Sequence, residues 1–340
     1  MSTGAIAGII PVWQKITRMA ETISLNARIP VTPRGQRLDQ ALAELFPDYS
    51  RSRLQKWLKA GQITLDGQPA RARDKVYGGE AVVIRAQRED EGQWQAEAIP
   101  LNIMFEDEQL IVIDKPAGLV VHPAAGNPAG TLLNALLHHA PELARVPRAG
   151  IVHRLDKDTT GLLAVARTLE SRKHLVDQLQ ARAFLREYLA VVNGILISGG
   201  EVDAPIGRHP VQRKRMAVIE TGKPALTRYR VRERFRHHSL LGLRLETGRT
   251  HQIRVHMAHI QHPLLGDPVY GGRLRLPPRC SEALTQALRG FRRQALHAAR
   301  LGLTHPATGE PMEWEAPLPE DMARLIQVLR EDRTQTGPDE

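Results

Sequence analysis

At 340 residues, 25% charged and 42% hydrophobic, the chain is long enough for two domains with buried cores, which excludes disorder as its main state. Its 47 Lys and Arg against 37 Asp and Glu leave a formal charge of +10, which favours a polyanionic partner, while aromatics at 4% leave few positions for stacking on bases. The single cysteine, Cys280, excludes an internal disulfide, a stapled secreted scaffold and a zinc finger, and fits a reducing cytoplasm.

The apolar opening stretch Ala5 to Trp13 is too short to span a membrane, contains Pro11 and lacks the basic start of a secretory signal. No membrane partner is expected. Met19 offers a second start, with residues 1–18 a loose extension or a misassigned start, and residues 1–34 as a whole read as an amino-terminal extension. Leu38, Leu42 and Leu45 recur at spacings of four and three and predict a helix, which Pro47-Asp48-Tyr49 breaks. Ser50 is placed to cap a second helix, Arg51 to Ala60, with Leu54, Trp57 and Leu58 on one face and Arg53, Lys56 and Lys59 elsewhere. An ordinary amphipathic helix with a solvated basic side would look the same. Ile63-Thr64-Leu65 alternates like a strand, Asp66-Gly67 signals a turn, and the chain returns through Gly78-Gly79 to Ala81-Val82-Val83-Ile84. In this order the pieces resemble the S4 RNA-binding domain over residues 35–85. The resemblance implies a helix pair with strands whose Arg51, Arg53 and Lys56 rest on RNA phosphates, giving affinity with little sequence choice.

Charge alternates along the chain. Residues 50–75 hold seven basic and two acidic side chains, residues 85–108 two basic and seven acidic, and residues 208–236 ten basic and two acidic. The polar run at 86–98 has no apolar periodicity and reads as a linker with its boundary near Glu91, leaving 99–328 for a second domain and 329–340 for a solvated tail.

In that second domain, Leu110-Ile111-Val112-Ile113 is a buried-strand run stopped by Asp114-Lys115-Pro116-Ala117-Gly118. The densest polar cluster follows at Gly150-Ile151-Val152-His153-Arg154-Leu155-Asp156-Lys157-Asp158-Thr159-Thr160-Gly161, ahead of another apolar run, Leu162 to Val165. By composition this could be a surface loop whose ions satisfy one another. Leu241, Leu243 and Leu245 alternate as a strand, and Thr247-Gly248-Arg249-Thr250 leads into a helix, His251 to Met257, with Ile253, Met257 and Ile260 buried and His251 and Arg254 on another face. The nearby His256, His259 and His262 lack a cysteine partner or a His-Glu-x-x-His pattern, so no metal is assigned. Arg228, Arg230, Arg232, Arg234 and Arg236 alternate along one strand face, either a solvated edge or an RNA-facing surface.

Taken in order, the motifs at 114–118, 150–161 and 248–256 resemble the RNA pseudouridine synthases of the ribosomal large-subunit type, over about residues 95–325. The Val121-His122-Pro123, Arg208-His209-Pro210 and His262 to Gly272 stretches point to one branch of that family. The resemblance implies an α+β protein: the small amino-terminal S4-type domain plus a larger catalytic domain on a mixed, mainly antiparallel β-sheet with flanking helices and loops. It implies a monomeric, cofactor-free enzyme that turns uridine into pseudouridine in 23S rRNA, free or in an assembling subunit, at the stem-loop of the subunit interface. Asp156 would start the reaction by attacking sugar or base, or by stabilising a sugar cation. Arg254, with Arg249 as the alternative, would keep it ionised against burial. Tyr188 would stack on the base or remove a proton, Arg154 would fill the gap left by the flipped base, and His153, Arg249, Arg228 and Arg230 would contact RNA. Asp158 could be read as the second acid of a glycosidase pair, but a structural role suits it better, because water would strand the detached base. A non-catalytic RNA-binding factor is the remaining alternative.

Overall fold

A computed structural model of the chain describes residues 22–31, 35–46, 49, 51–87, 94–124, 126–212 and 215–335. They form two compact units divided between Gln93 and Trp94, inside the expected linker. The cap expected at Ser50, the extension 1–18 and residues 336–340 lie outside the described residues, and the expected tail 329–340 is corrected at its start, since 329–335 end a helix whose Leu329 is buried.

The first unit consists of β1 (Thr22–Arg28), β2 (Gln36–Arg37), α1 (Leu38–Leu45), α2 (Arg51–Lys59), β3 (Ile63–Leu65), β4 (Gln68–Pro69), β5 (Lys75–Val76) and β6 (Ala81–Gln87). Its sheet runs β1-β6-β3-β4, so the expected extension is corrected in part: Thr22–Arg28 pairs antiparallel with β6 along its whole length. The alternation of apolar residues over 23–29 could have revealed that strand. Asp66 and Gly67, at φ 48° and 77°, make the turn that their sequence predicts. Leu38, Leu42, Leu54, Trp57, Ile63 and Ile84 form the core between the helix pair and the sheet. Asp39 is fully buried at the start of α1, where Arg37 (3.0 Å), Arg51 (2.8 Å) and Gln55 (2.5 Å) all donate to its carboxylate. The Arg37 hydrogen bond outweighs burial, with help from Arg51 and Gln55, and holds its pKa far below the usual carboxylate range.

The second unit adds β7 (Ile103–Glu106), β8 (Leu110–Lys115), α3 (Leu132–His139), β9 (Thr160–Ala166), α4 (Leu169–Gln180), β10 (Leu185–Asn193), β11 (Gly200–Asp203), β12 (Ile206–Arg208), β13 (Met216–Val218), β14 (Leu226–Arg234), β15 (His238–Leu245), α5 (Gln252–His259), α6 (Glu282–Gly290), β16 (Leu296–Thr304), β17 (Pro311–Glu315) and α7 (Glu320–Gln335). Among the described residues a nine-stranded sheet runs β11-β14-β15-β10-β16-β9-β8-β7, with β17 beside β16. Its pairings are antiparallel except β16 with β9. The central strands are apolar on both faces. Tyr188, Ala190, Leu241 and Leu243 pack on one side with Ile253 and Met257 of α5, while Val191 and Leu240 pack on the other with Leu325 and Leu329 of α7. Among the described residues, no helix is long and apolar enough to cross a membrane.

Two glycines fix the segment between α3 and β9. A Cβ on Gly150 (φ 75°) would lie 1.8 Å from the Ala166 carbonyl oxygen, and one on Gly161 (φ 108°) 2.2 Å from that of Ala298. The loop between them is thus clamped at one end to β9 and at the other to β16.

Gly150→Ala is expected to destabilise the second unit by about 2–4 kcal/mol through clash and backbone strain. Gly272→Ala, with similar φ and nothing within 4 Å, costs strain only. Thermal unfolding of the two variants checks the difference. In the first unit, Asp39→Ala leaves Arg37 and Arg51 without their partner and is expected to cost about 1–3 kcal/mol, read as faster amide exchange over 36–76 at neutral pH.

Candidate active site

The clamped loop carries Asp156, and further anchors leave it little freedom. Lys115, fully buried at the end of β8, donates from Nζ to the carbonyls of Pro116 (2.7 Å), Leu119 (3.0 Å) and Lys157 (2.9 Å). Burial pulls its pKa down to about 8, against the opposing attraction of Asp158 and Asp156. Arg293 donates to the Asp158 carbonyl at 3.3 Å, and Gln294 to the Thr159 hydroxyl at 3.0 Å.

Across the pocket, α5 starts at His251, whose left-handed backbone (φ 57°) turns the chain into the helix. Gln252 ties that turn to β14: its Oε1 accepts from Thr247 Oγ1 (2.8 Å) and the Arg249 amide (2.9 Å), and its Nε2 donates to the Leu226 carbonyl and Thr227 Oγ1 (both 3.0 Å). One turn into α5, Arg254 donates from Nη1 to Asp156 Oδ2 at 3.0 Å. Its other edge forms a fork with Asp267, Nε to Oδ2 at 2.7 Å and Nη2 to Oδ1 at 2.9 Å. Asp267 is fully buried and also accepts from the amides of Val269 (2.8 Å) and Tyr270 (3.0 Å). Burial would raise the Asp267 pKa, but Arg254 and the two amides hold it below the usual carboxylate range. Burial likewise works against the Arg254 cation, and Asp267 and Asp156 more than offset it.

Asp156 is thereby held by one oxygen, and its Oδ1 faces a pocket lined by Arg154, Leu155, Thr159, Tyr188, Leu245, Arg249, His251, Ile253, Arg254 and Leu296. His251 Nε2 lies 3.8 Å from Oδ1. Tyr188 projects from β10 into the same pocket, and its enclosure raises its pKa to about 12, so the phenol keeps its proton at neutral pH.

Of the residues expected from sequence, the structure therefore brings together Asp156, Tyr188, Arg254 and Arg154, with Arg154 exposed at the rim. Of Arg254 and Arg249, Arg254 reaches Asp156, while Arg249 donates to the Pro224 carbonyl at 3.1 Å. Asp158 does not line the pocket. At His153, expected to contact RNA, Nε2 accepts from the Ala164 amide at 2.9 Å, the ring meets Phe184 edge-on, and burial lowers its pKa to about 3, so the ring is a neutral brace. The arginine ladder lies apart from the pocket. Arg228 pairs with Arg244 and Arg244 with Glu187, one residue out of phase with Tyr229, Leu243 and Tyr188. The ladder therefore projects from the sheet face opposite the pocket. There Arg228 lies 3.7 Å from Glu201 and 3.6 Å from Glu246, and Arg230 lies 3.9 Å from Glu187. A register shift between Val231 and Glu233 breaks the alternation, and Arg236 falls outside the strand. In the first unit, Arg51 is engaged by Asp39, and the Arg53 guanidinium lies 5.8 Å from the centre of the Trp57 ring.

Asp267, Lys115, Gln252 and Tyr270 were not singled out by sequence reasoning. Asp267 had a signal: it is the one acid in the Pro- and Gly-rich stretch 262–272. Of the histidines beyond His251, His259 is exposed, His256 bridges Thr227 and the Ala204 carbonyl, and His262 contacts the Asn193 carbonyl. Among the described residues no three of His, Cys, Asp or Glu converge as metal ligands.

Residues 109–259 match the RNA pseudouridylate synthase family and residues 36–82 the S4 domain. The chain is 60% identical over 315 residues to ribosomal large subunit pseudouridine synthase D of Pseudomonas aeruginosa, covering 93% of this chain and 98% of that protein. It is 58% identical over 315 residues to the protein of the same name from Escherichia coli K12, covering 92% and 97%. The solved structure of human RNA Pseudouridylate Synthase Domain Containing 4 superimposes with a TM-score of 0.53 at 27% identity, covering 67% of this chain and 93% of that one. The branch suggested by the three sequence stretches is the one these bacterial relatives share. An arginine-held aspartate in a small pocket, on a chain matching such relatives over more than nine-tenths of its length, makes this protein a member of the RNA pseudouridine synthase family.

Proposed function

We propose that this enzyme isomerises uridines of 23S rRNA, in the stem-loop at the subunit interface, by a cofactor-free reaction that Asp156 starts on a base flipped out of its stack. The choice of large-subunit RNA rests on the bacterial relatives, whose names specify that subunit. The chemistry rests on one observation: Asp156 is pinned through Oδ2 by Arg254, while Oδ1 is open to a pocket into which Leu155, Leu245, Ile253 and Leu296 also project.

A carboxylate so placed can attack the sugar or the base, or stabilise a sugar cation, as the N1–C1′ bond breaks. The detached uracil must then turn and rejoin through C5 before water intervenes, and the apolar walls favour that outcome. Tyr188, a protonated phenol beside the carboxylate, offers a ring face to the uracil. A base paired in a helix cannot reach Asp156, so the nucleotide is flipped, and the exposed Arg154 at the rim occupies the space it leaves. The S4 unit adds phosphate contacts from α2, which give affinity with little sequence choice. A glycosidase needs a second carboxylate to activate water, and Asp158, the nearest in sequence, stands outside the pocket.

Pseudouridines mapped in 23S rRNA from cells lacking this protein are expected to be missing at its target sites, restored by the wild type and not by Asp156→Asn. In vitro, Asp156→Asn is expected to bind large-subunit rRNA as the wild type does while forming no pseudouridine. Unchanged pseudouridines in the deletion would leave a non-catalytic RNA-binding factor as the better reading.

A further inference from the structure

Rejoining uracil through C5 leaves a proton on that carbon, and the pocket must hold a base to take it. The geometry points to His251 as that base, a catalytic role that rests on the proposed Asp156 chemistry. Of the ionisable groups lining the pocket, Arg154, Arg249 and Arg254 are cations with no lone pair to offer, and Tyr188 is a phenol held in its protonated form. Asp156 is held by Arg254 through Oδ2, and a carboxylate is a weaker base than a neutral imidazole. His251 remains.

Its placement is specific. The left-handed backbone at the start of α5 sets its ring in the pocket wall, Nδ1 shares a 2.8 Å hydrogen bond with the Tyr270 hydroxyl, and Nε2 lies 3.8 Å from Asp156 Oδ1. The Tyr270 oxygen already accepts from the Met216 amide at 2.9 Å, and the ring of Tyr270 meets that of His251 edge-on. With Nδ1–H donating to Tyr270, the Nε2 lone pair points toward the reacting base. The charges facing the ring are Asp156, Arg254, Asp267 and Arg154, and burial, the largest influence, keeps the imidazole neutral at pH 7. The step balances: the C5–H bond breaks, its electrons form the C5=C6 double bond, the N1=C6 electrons move to N1, and N1 takes a proton. The proton gained by His251 replaces the one delivered to N1, directly or through solvent, and the imidazolium is stabilised meanwhile by Asp156.

Large-subunit rRNA transcribed with uridine or with 5-fluorouridine separates this step, because fluorouridine has no proton at C5. His251→Asn is expected to lose about 100-fold or more on uridine in single-turnover reactions, the span of general base catalysis. The same variant is expected to rearrange 5-fluorouridine at close to the wild-type rate, which also reports that it is folded and binds RNA. Parallel loss on both substrates, in His251→Asn and again in His251→Gln, overturns the assignment, as does full activity of either variant on uridine. Asp156→Asn, run alongside, must lose both reactions; if it keeps either, it is the proposed Asp156 chemistry that falls, whatever His251 does.

Discussion

One guanidinium holds the site together. Arg254 is buried between two carboxylates, forked onto Asp267 and reaching Asp156 with its remaining nitrogen. A buried cation is tolerated only when paired and hydrogen-bonded, and removing one partner of such a pair costs about 3–5 kcal/mol. Asp267 is what makes Arg254 available: with the fork satisfied behind it and the amides of Val269 and Tyr270 completing the carboxylate, the guanidinium has one direction left to point. That direction is Asp156. The reactive group thus inherits its position from a structural ion pair, and only its Oδ1 stays open to the pocket.

The facing loop is held with equal economy. Gly150 and Gly161 let it approach β9 and β16 more closely than any side chain would permit, and Lys115 ties Lys157, the neighbour of Asp156, back to the end of β8. An ammonium capped by three carbonyls is a fastener with no open face, so this lysine acts on the chemistry by fixing the backbone beneath Asp156. The two halves of the site, one loop and one helix, come from strands and helices far apart in sequence, and the nine-stranded sheet is the frame that sets them opposite each other.

Much of this was legible in the sequence. Apolar periodicity marked α1, α2, β8, β9, β15 and α5, and the motif order located Asp156, Tyr188 and Arg254. What escaped had physical reasons. Alternating arginines identify a strand with one polar face but not which side of the sheet that face is on, which depends on the register of β14 against β15. A histidine beside Arg154 in a polar loop reads as an RNA contact until its ring is seen accepting a backbone amide, as that of His153 does. Asp267, 13 residues from Arg254 in sequence, is joined to it only by the fold. The pairing of Thr22–Arg28 with β6, more than fifty residues away, is likewise a property of the folded sheet.

Asp267 and Arg254 act as a single device for placing Asp156, and a double-mutant cycle on the single-turnover rate of pseudouridine formation tests that directly. Asp267→Asn and Arg254→Lys are each expected to lower the rate strongly, with the double variant little slower than the slower single one, because either change alone already frees Asp156. Penalties that multiply in the double variant would mean that the two residues act independently, and would contradict the account.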